Sequence, residues 1–228
     1  MSIMKLEFHV HTNYSNDGFS KVPDLKKSLM KKGINIVAIS DHNTLKGAVE
    51  AEKLFGDDVR VIKCEEIKTQ EGEIIGLFLS EEIPPQLSID ETIKRIRDQG
   101  GLVCVPHPFD RMRKSKIHLD ALYRIIDEID IVEVSNARNI YPQDDKLALD
   151  FADKYGKLKI CGTDAHTLFE IGHTYVELED FKDSKEFINS LKDAKLHFKR
   201  SGIYVHFFTK GKKYYNLIIG NLYKNHKG

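Results

Sequence analysis

The chain has 228 residues, with 35 Lys and Arg against 35 Asp and Glu, 41% hydrophobic residues, three Cys and ten His. That length suits one domain of ordinary globular composition, or one domain with an appendage, and it buries enough surface to need neither disulfides nor a structural metal, so a bound metal would serve chemistry. Zero net charge argues against the broad basic surface of a general nucleic-acid binder, while a local basic patch and small phosphate-bearing substrates stay open.

The opening MSIMKLEFHVHT lacks the apolar run of a signal peptide, and no stretch approaches the roughly 20 apolar residues of a membrane span, so a soluble, cytoplasmic protein is expected. In chain order, residues 5–11 read as a strand, 23–32 as a helix, 34–40 (INIVAIS) as a strand and 45–55 as a helix. Strands at 59–67 and 74–79 (IIGLFL) follow, too close for a crossover helix, and therefore form an antiparallel hairpin or irregular turn. The next helix starts with a capping box, Ser88 with Glu91, repeats Ile89, Ile93 and Ile96, and stops at Gly100-Gly101. Strand 102–106 (LVCVP), helix 116–127, strand 131–135 (IVEVS), a helix from Pro142 to Tyr155 with Gly156 as its stop, strand 158–162 and helix 184–195 complete the series. Such βα alternation, with continuously apolar strands, predicts a parallel sheet or barrel, distorted at the hairpin, whose first and last strands lie side by side. GIYVHFF and YYNLI beyond it suggest a β-rich C-terminal piece packed on the barrel. Cys64, Cys104 and Cys161 share no CxxC spacing and sit in or beside apolar runs, which reads as reduced, mostly buried thiols.

Chemistry in such folds collects at the carboxyl ends of the strands. There the chain places His9, His11 and Asp17, then Asp41 and His42, Glu65 and Glu66, His107, Asn136 and Arg138, and finally Asp164 and His166. Residues at i and i+2 of a strand share a face, so His9 with His11 and Asp164 with His166 can converge on one cation, and imidazole with carboxylate suits Zn, Mn or Fe. A lone HxH is weak, since about 0.4 copies arise by chance at this His content. The conjunction carries the weight: five His lie at or just past strand ends with acids nearby, whereas His118, His173, His197, His206 and His226 have no such setting and read as surface or hydrogen-bonded histidines.

Through LEFHVHTNYSNDG, VAISDHNT, KCEEIKT, VCVPHPF, VEVSNARN and CGTDAHT, residues 5 to 170 resemble the PHP superfamily, the polymerase and histidinol phosphatase metallophosphoesterases. The resemblance implies an α/β fold, a distorted seven-stranded β/α (TIM-like) barrel over residues 1–180, with a short α/β extension over 181–228 packed on it. It implies two or three divalent ions. One is held by His9, His11, Glu66 and Asp164, a second by Glu66 and His107, and a third by Asp17, His42 and His166. Glu66 is taken over Glu65 because the family's ligand directly precedes an apolar residue such as Ile67. Many members carry a further His after that Glu; this chain has GEIIGLFL, with Glu73 the nearest substitute, which favours a harder ion such as Mn there. Asp41 is either a partner that orients an imidazole or a solvated loop acid.

The implied activity is phosphoester hydrolysis by a metal-bound hydroxide, on a small phosphorylated substrate of the phosphomonoester or nucleotide type. Histidinol phosphate, nucleotides and the 5′ end of a short single-stranded oligonucleotide are the open substrates; no membrane and no obligate protein partner is expected. Arg111 and Arg138 are candidate phosphate contacts, whereas Arg113 and Lys114 read as a solvated loop. Amidohydrolase-like chemistry fits a chain of this length less well, and an inactive metal-binding regulatory domain is at odds with so full a ligand set.

Overall fold

A computed structural model describes residues 2–202, 204–205 and 211. The strands are β1 (Ile3–Val10), β2 (Ile36–His42), β3 (Arg60–Thr69), β4 (Gly72–Leu77), β5 (Leu102–Val105), β6 (Ile131–Asn136), β7 (Leu158–Gly162), β8 (Tyr175–Glu179) and β9 (Lys195–His197). The helices are α1 (Val22–Lys31), α2 (Lys46–Phe55), α3 (Ile89–Asp98), α4 (Leu119–Arg124), α5 (Pro142–Lys154) and α6 (Ser184–Lys192). The expected helix at 116–127 is cut to α4 and a 3-10 turn at Ile126–Glu128. In α3 the Ser88 hydroxyl accepts from the Glu91 N–H at 3.2 Å, but the Glu91 carboxylate turns to Arg95 at 2.8 Å, so only half of the capping box forms.

One nine-stranded sheet runs in the order β7-β6-β5-β4-β3-β2-β1-β8-β9. It is parallel from β1 to β3 and from β5 to β7, with β4 antiparallel to both neighbours, as the short β3–β4 connection predicts. Two strands beyond the expected seven change how the barrel closes. β8 pairs antiparallel with the first half of β1, from Ile3 to Leu6, and β9 follows it. β1 therefore meets the chain after β7 only at its carboxyl end, where the Thr163 N–H donates to the Phe8 carbonyl at 2.9 Å and the His11 N–H to the Ala165 carbonyl at 2.8 Å. The mouth is closed by backbone hydrogen bonds, and the opposite end is filled by β8 and β9.

Alternation sorts the side chains into two faces. Leu6, Phe8, Ile36, Ala38, Ile62, Cys64, Ile75, Leu77, Leu102, Cys104 and Ile131 form one interior cluster, and Phe181, Phe187 and Leu191 of the α6 region plug it. Val37 and Ile39 face α1 and α2, while Ile67, Val103, Val105, Val132 and Val134 face α3 to α5. All three thiols are free and buried. YYNLI lies outside the described residues, and of GIYVHFF only Gly202, Tyr204 and Val205 are described; the last two are helical, where extended structure was expected.

Phe187 stacks against Phe181 and Phe78 at centroid distances of 4.9 and 5.4 Å. Phe187→Ala should cost about 3–5 kcal/mol in denaturant unfolding, the usual range for a buried aromatic, and a negligible loss would mean that α6 does not plug the barrel.

Candidate metal centre

On β1 the inward positions are Leu6 and Phe8, so a regular strand would turn His9 and His11 outward toward α1. The register slips between Glu7 and Val10, and His9 takes a left-handed backbone with φ of 63°. That bulge reverses the parity: Val10 packs outward with α1, and both imidazoles turn in. His107 (φ 31°) and Asp164 (φ 52°) use the same device just past β5 and β7. Non-glycine residues in this region are strained and are held there only by surrounding structure. No such device is needed on β2, β3 or β4. His42 follows Ile36 and Ala38 on the inner face, Glu66 follows Ile62 and Cys64, and Glu73 precedes Ile75 and Leu77.

Four atoms converge at the centre. His9 Nε2 and His11 Nε2 each lie 3.4 Å from Glu66 Oε2, and they lie 3.8 and 3.3 Å from Asp164 Oδ1. Ligands bound at about 2.0–2.1 Å in a tetrahedron stand about 3.3–3.4 Å apart, so these separations are those of a first coordination shell. All four atoms are buried without a hydrogen-bond partner. The outer nitrogens are occupied instead. His9 Nδ1 is 2.9 Å from Glu133 Oε1, and His11 Nδ1 is 3.2 Å from Ser15 Oγ, whose proton goes to Asp41. Each ring thus has its Nδ1–H engaged outward and its Nε2 turned inward, the orientation found at metal-bound histidines.

Further donors flank these four. Glu66 Oε1 lies 3.0 Å from His107 Nε2, and Glu66 Oε2 lies 3.0 Å from His42 Nδ1. His42 Nε2 and His166 Nε2 stand 3.6 and 3.3 Å from the two oxygens of Asp17. Glu73, whose Oε2 is buried without a hydrogen bond, groups with His42 and Glu66. The donor set fits divalent cations, and its protonation says the same. Burial opposes charge on His9, yet Glu133, Asp164 and Glu66 raise its pKa well above the imidazole norm. Glu66 and Asp17 do likewise for buried His42. Glu66 and Asp164 stay ionised despite burial, through His9 and His42 for the first and Arg113 and His9 for the second. Protons hold the carboxylates together where ions would.

Several sequence-based roles change. Glu65 points outward and accepts the Ile83 N–H at 2.9 Å. Asp41 is neither solvated nor directed at the centre; it is buried, accepts from the Thr12 N–H and hydroxyl at 2.7 and 2.6 Å, and reaches His11 only through Ser15. Arg111 is 52% exposed and bonds Asp144, with Tyr141 under its guanidinium. Arg138 is buried among His166, Glu170 and the Val205 carbonyl, which commits its guanidinium to structure. Arg113, read as solvated, is instead 19% exposed and donates to Asp164 Oδ2 at 2.6 Å. Lys114 is exposed as expected. His118 and His173 are exposed and His197 bonds Glu177, in line with their ordinary reading, whereas His206 and His226 lie outside the described residues.

Sequence reasoning missed Glu133. It bonds His9 and accepts the His107 N–H at 2.8 Å and the Asn136 side-chain amide at 2.9 Å, joining three strands beneath the centre. An acid inside the apolar run IVEVS is the signal that would have found it, because such a charge is buried only with partners. Gly162 makes room for it: a Cβ there would fall 1.7 Å from Glu133 Oε1.

Glu133→Gln and Gly162→Ala should each lower divalent-ion affinity by roughly 10–100-fold in a chelator competition, as loss of an outer partner does at other metal sites; wild-type affinity would refute the role given to Glu133. Loading the centre should release protons, because His9 and His42 must shed theirs, so affinity should fall as pH drops, starting from well above the ordinary imidazole range. Calorimetry in buffers of different ionisation enthalpy measures that release.

The comparisons with known proteins agree with this architecture. The PHP-associated family model (PHP_C) matches residues 142–196. The uncharacterized protein MJ0417 of Methanocaldococcus jannaschii is 36% identical over 202 residues, covering 83% of this chain and 79% of that one. A two-domain Bacteroides vulgatus protein, described as containing a predicted PHP-like metal-dependent phosphoesterase, superposes with a TM-score of 0.65 at 17% identity over 86% of this chain and 65% of that one. This chain thus spans somewhat under two thirds of that structure. An amidohydrolase from Chromobacterium violaceum, crystallised with sulfate and no metal, has a TM-score of 0.62 at 13% identity over 85% of this chain and 98% of that one. At these identities the two structures report the fold alone. With the nearly closed barrel, its ring of histidines and carboxylates and the family match together, the chain belongs to the PHP superfamily.

Proposed function

We propose that the protein is a metal-dependent phosphoesterase acting on a phosphomonoester or nucleotide, with two or three Zn, Mn or Fe ions held by His9, His11, Asp17, His42, Glu66, Glu73, His107, Asp164 and His166. The observation that carries this reading is the convergence of His9 Nε2, His11 Nε2, Glu66 Oε2 and Asp164 Oδ1, all buried without hydrogen bonds, at coordination spacing. Divalent ions so held lower the pKa of water and neutralise charge on a transferring phosphoryl group. The chain's own residues do the rest. Glu133 and Ser15 fix the tautomers of His9 and His11, and Asn136 and Arg113 hold Asp164 Oδ2 at 3.4 and 2.6 Å, turning its other oxygen inward. Arg113 keeps its charge because Asp164, Glu66 and Glu73 offset its burial, and its residual exposure lets it face an anion at the mouth.

The rim favours nucleotides and strand ends over a small aliphatic ester. Phe19 and Phe169, close in sequence to Asp17 and His166, are 44% and 85% exposed, and exposed aromatic rings stack on bases. No helix among the described residues is long and apolar enough to cross a membrane.

Protein purified without chelator should carry two or three ions per chain, and activity in protein shown to be metal-free would overturn the scheme. Phosphate release should appear with added Mn or Zn on nucleotides or short oligonucleotides in preference to histidinol phosphate; silence on all three would favour a metal-binding regulatory domain. His9→Ala and Asp164→Ala should abolish turnover while cooperative unfolding persists, since the interior cluster is separate from the centre.

A further inference from the structure

Beyond β9 the chain turns back over the mouth of the barrel. Lys199 and Thr174 exchange two hydrogen bonds, with the Thr174 hydroxyl donating to the Lys199 carbonyl at 2.9 Å and the Lys199 N–H to that hydroxyl at 3.1 Å. Arg200 bonds Asp145 on α5, and the Ser201 N–H donates to the Ala137 carbonyl at 2.7 Å. Val205, buried, presents its carbonyl to Arg138 Nη2 at 2.8 Å. The segment is thus pinned at successive points onto the connection between β6 and α5.

Arg138 carries that attachment to the centre. The Arg138 guanidinium donates to the Val205 carbonyl and to the Asp164 carbonyl at 3.5 Å, pairs with the Glu170 carboxylate at 3.5 Å, and lies against the edge of the His166 imidazole, whose Nδ1–H donates to the Asp164 carbonyl at 2.8 Å. Glu170 in turn accepts the backbone N–H groups of His166 and Thr167, each at 3.0 Å. His166 needs such support more than the strand-borne donors do. His9, His42 and Glu66 stand on strands fixed by ladder hydrogen bonds, whereas His166, like Asp17, lies in a loop, four residues past the end of β7, where the Phe19 N–H holds its carbonyl at 2.7 Å. The positive charge of Arg138 opposes a cation at His166, but the carboxylate of Glu170 beside it offsets that charge, which leaves position as the larger effect.

We propose that residues 198–202 and Val205 form a brace that positions His166 through Arg138, so that the ion shared by Asp17, His42 and His166 depends on this segment and the ions on Glu66, His107 and Asp164 do not. This rests on the centre binding metal. Arg138 is here a positioning residue. The role explains why a strand-end arginine is buried rather than open to substrate.

The test is titration of the full-length, metal-free chain with Mn or Zn against a chromophoric chelator, for the wild type, Arg138→Met, Val205→Asp and Arg200→Ala. Val205→Asp forces the segment off without touching a ligand. It and Arg138→Met should weaken one ion by roughly 10–100-fold while the others bind as in the wild type. Arg200→Ala, on a part-exposed side chain away from the centre, should weaken the same ion less, and it carries the test if either buried variant fails to fold. Affinities equal to wild type, tighter binding in Arg138→Met, or uniform loss of every ion with a lower unfolding temperature of the metal-free protein would each overturn the brace. A wild type that binds no ion would overturn the metal reading itself, whereas a wild type that binds with unchanged variants overturns only the brace.

Discussion

A carboxylate taken out of water must be given positive charge, and in this protein that carboxylate is Glu66. It is fully buried, and imidazoles of His9, His11, His42 and His107, from the ends of three strands, stand within 3.0–3.4 Å of its oxygens. The desolvation penalty for one such ion amounts to several kcal/mol even after relaxation. Among the described residues no lysine is paired with it, and the nearby guanidinium of Arg113 is engaged by Asp164. The charge of Glu66 is therefore balanced by protons on His9 and His42, or by cations sitting among the donors. The outward partners of those histidines follow from the same need. Glu133 and Ser15 engage Nδ1 of His9 and His11, which leaves each Nε2 as the nitrogen that faces the centre and is buried without a hydrogen bond.

Strand geometry then decides which residues can take part. Period-two alternation puts His42, Glu66 and Glu73 on the inner face at no conformational cost, following Ala38 and Cys64 and preceding Ile75. The same alternation would exclude His9 and His107, and these two and Asp164 have a left-handed backbone. Three donors of the centre thus sit in a strained conformation. Backbone hydrogen bonds from 163–165 to the end of β1 hold two of the three in place, so closure of the barrel and assembly of the centre are one event.

That division also explains what was legible in the sequence. Continuous apolar runs such as INIVAIS reveal strands buried on both faces, and the family pattern of a ligand before an apolar residue took Glu66 over Glu65, a choice that matches the inward parity of Ile62 and Cys64 in the structure. Glu73 was harder, because its face depends on the hairpin register, which pairs Lys68 with Glu73. β8 and β9 were missed for a physical reason. YVELE carries charges on its open face, and the three-residue β9 is too short to show a period. Loop arginines have no period at all. Nothing in the spacing of Arg111, Arg113 and Arg138 tells which one reaches a carboxylate in the centre, which one covers a helix and which one is buried under a histidine.

The fate of those arginines limits how the protein can hold an anion. Arg111 is committed to Asp144 and Arg138 to His166, Glu170 and the Val205 carbonyl, so of the three Arg113 alone meets a carboxylate of the four converging donors, and it shares its charge with Asp164. An anionic substrate at this mouth would find little fixed positive charge on the protein itself. Its attraction would come chiefly from the same divalent ions that supply the chemistry, and substrate affinity and turnover would then fall together as the ions are removed. The balanced net charge of the chain is compatible with this, since the charge that matters for such a substrate is held by neither its lysines nor most of its arginines.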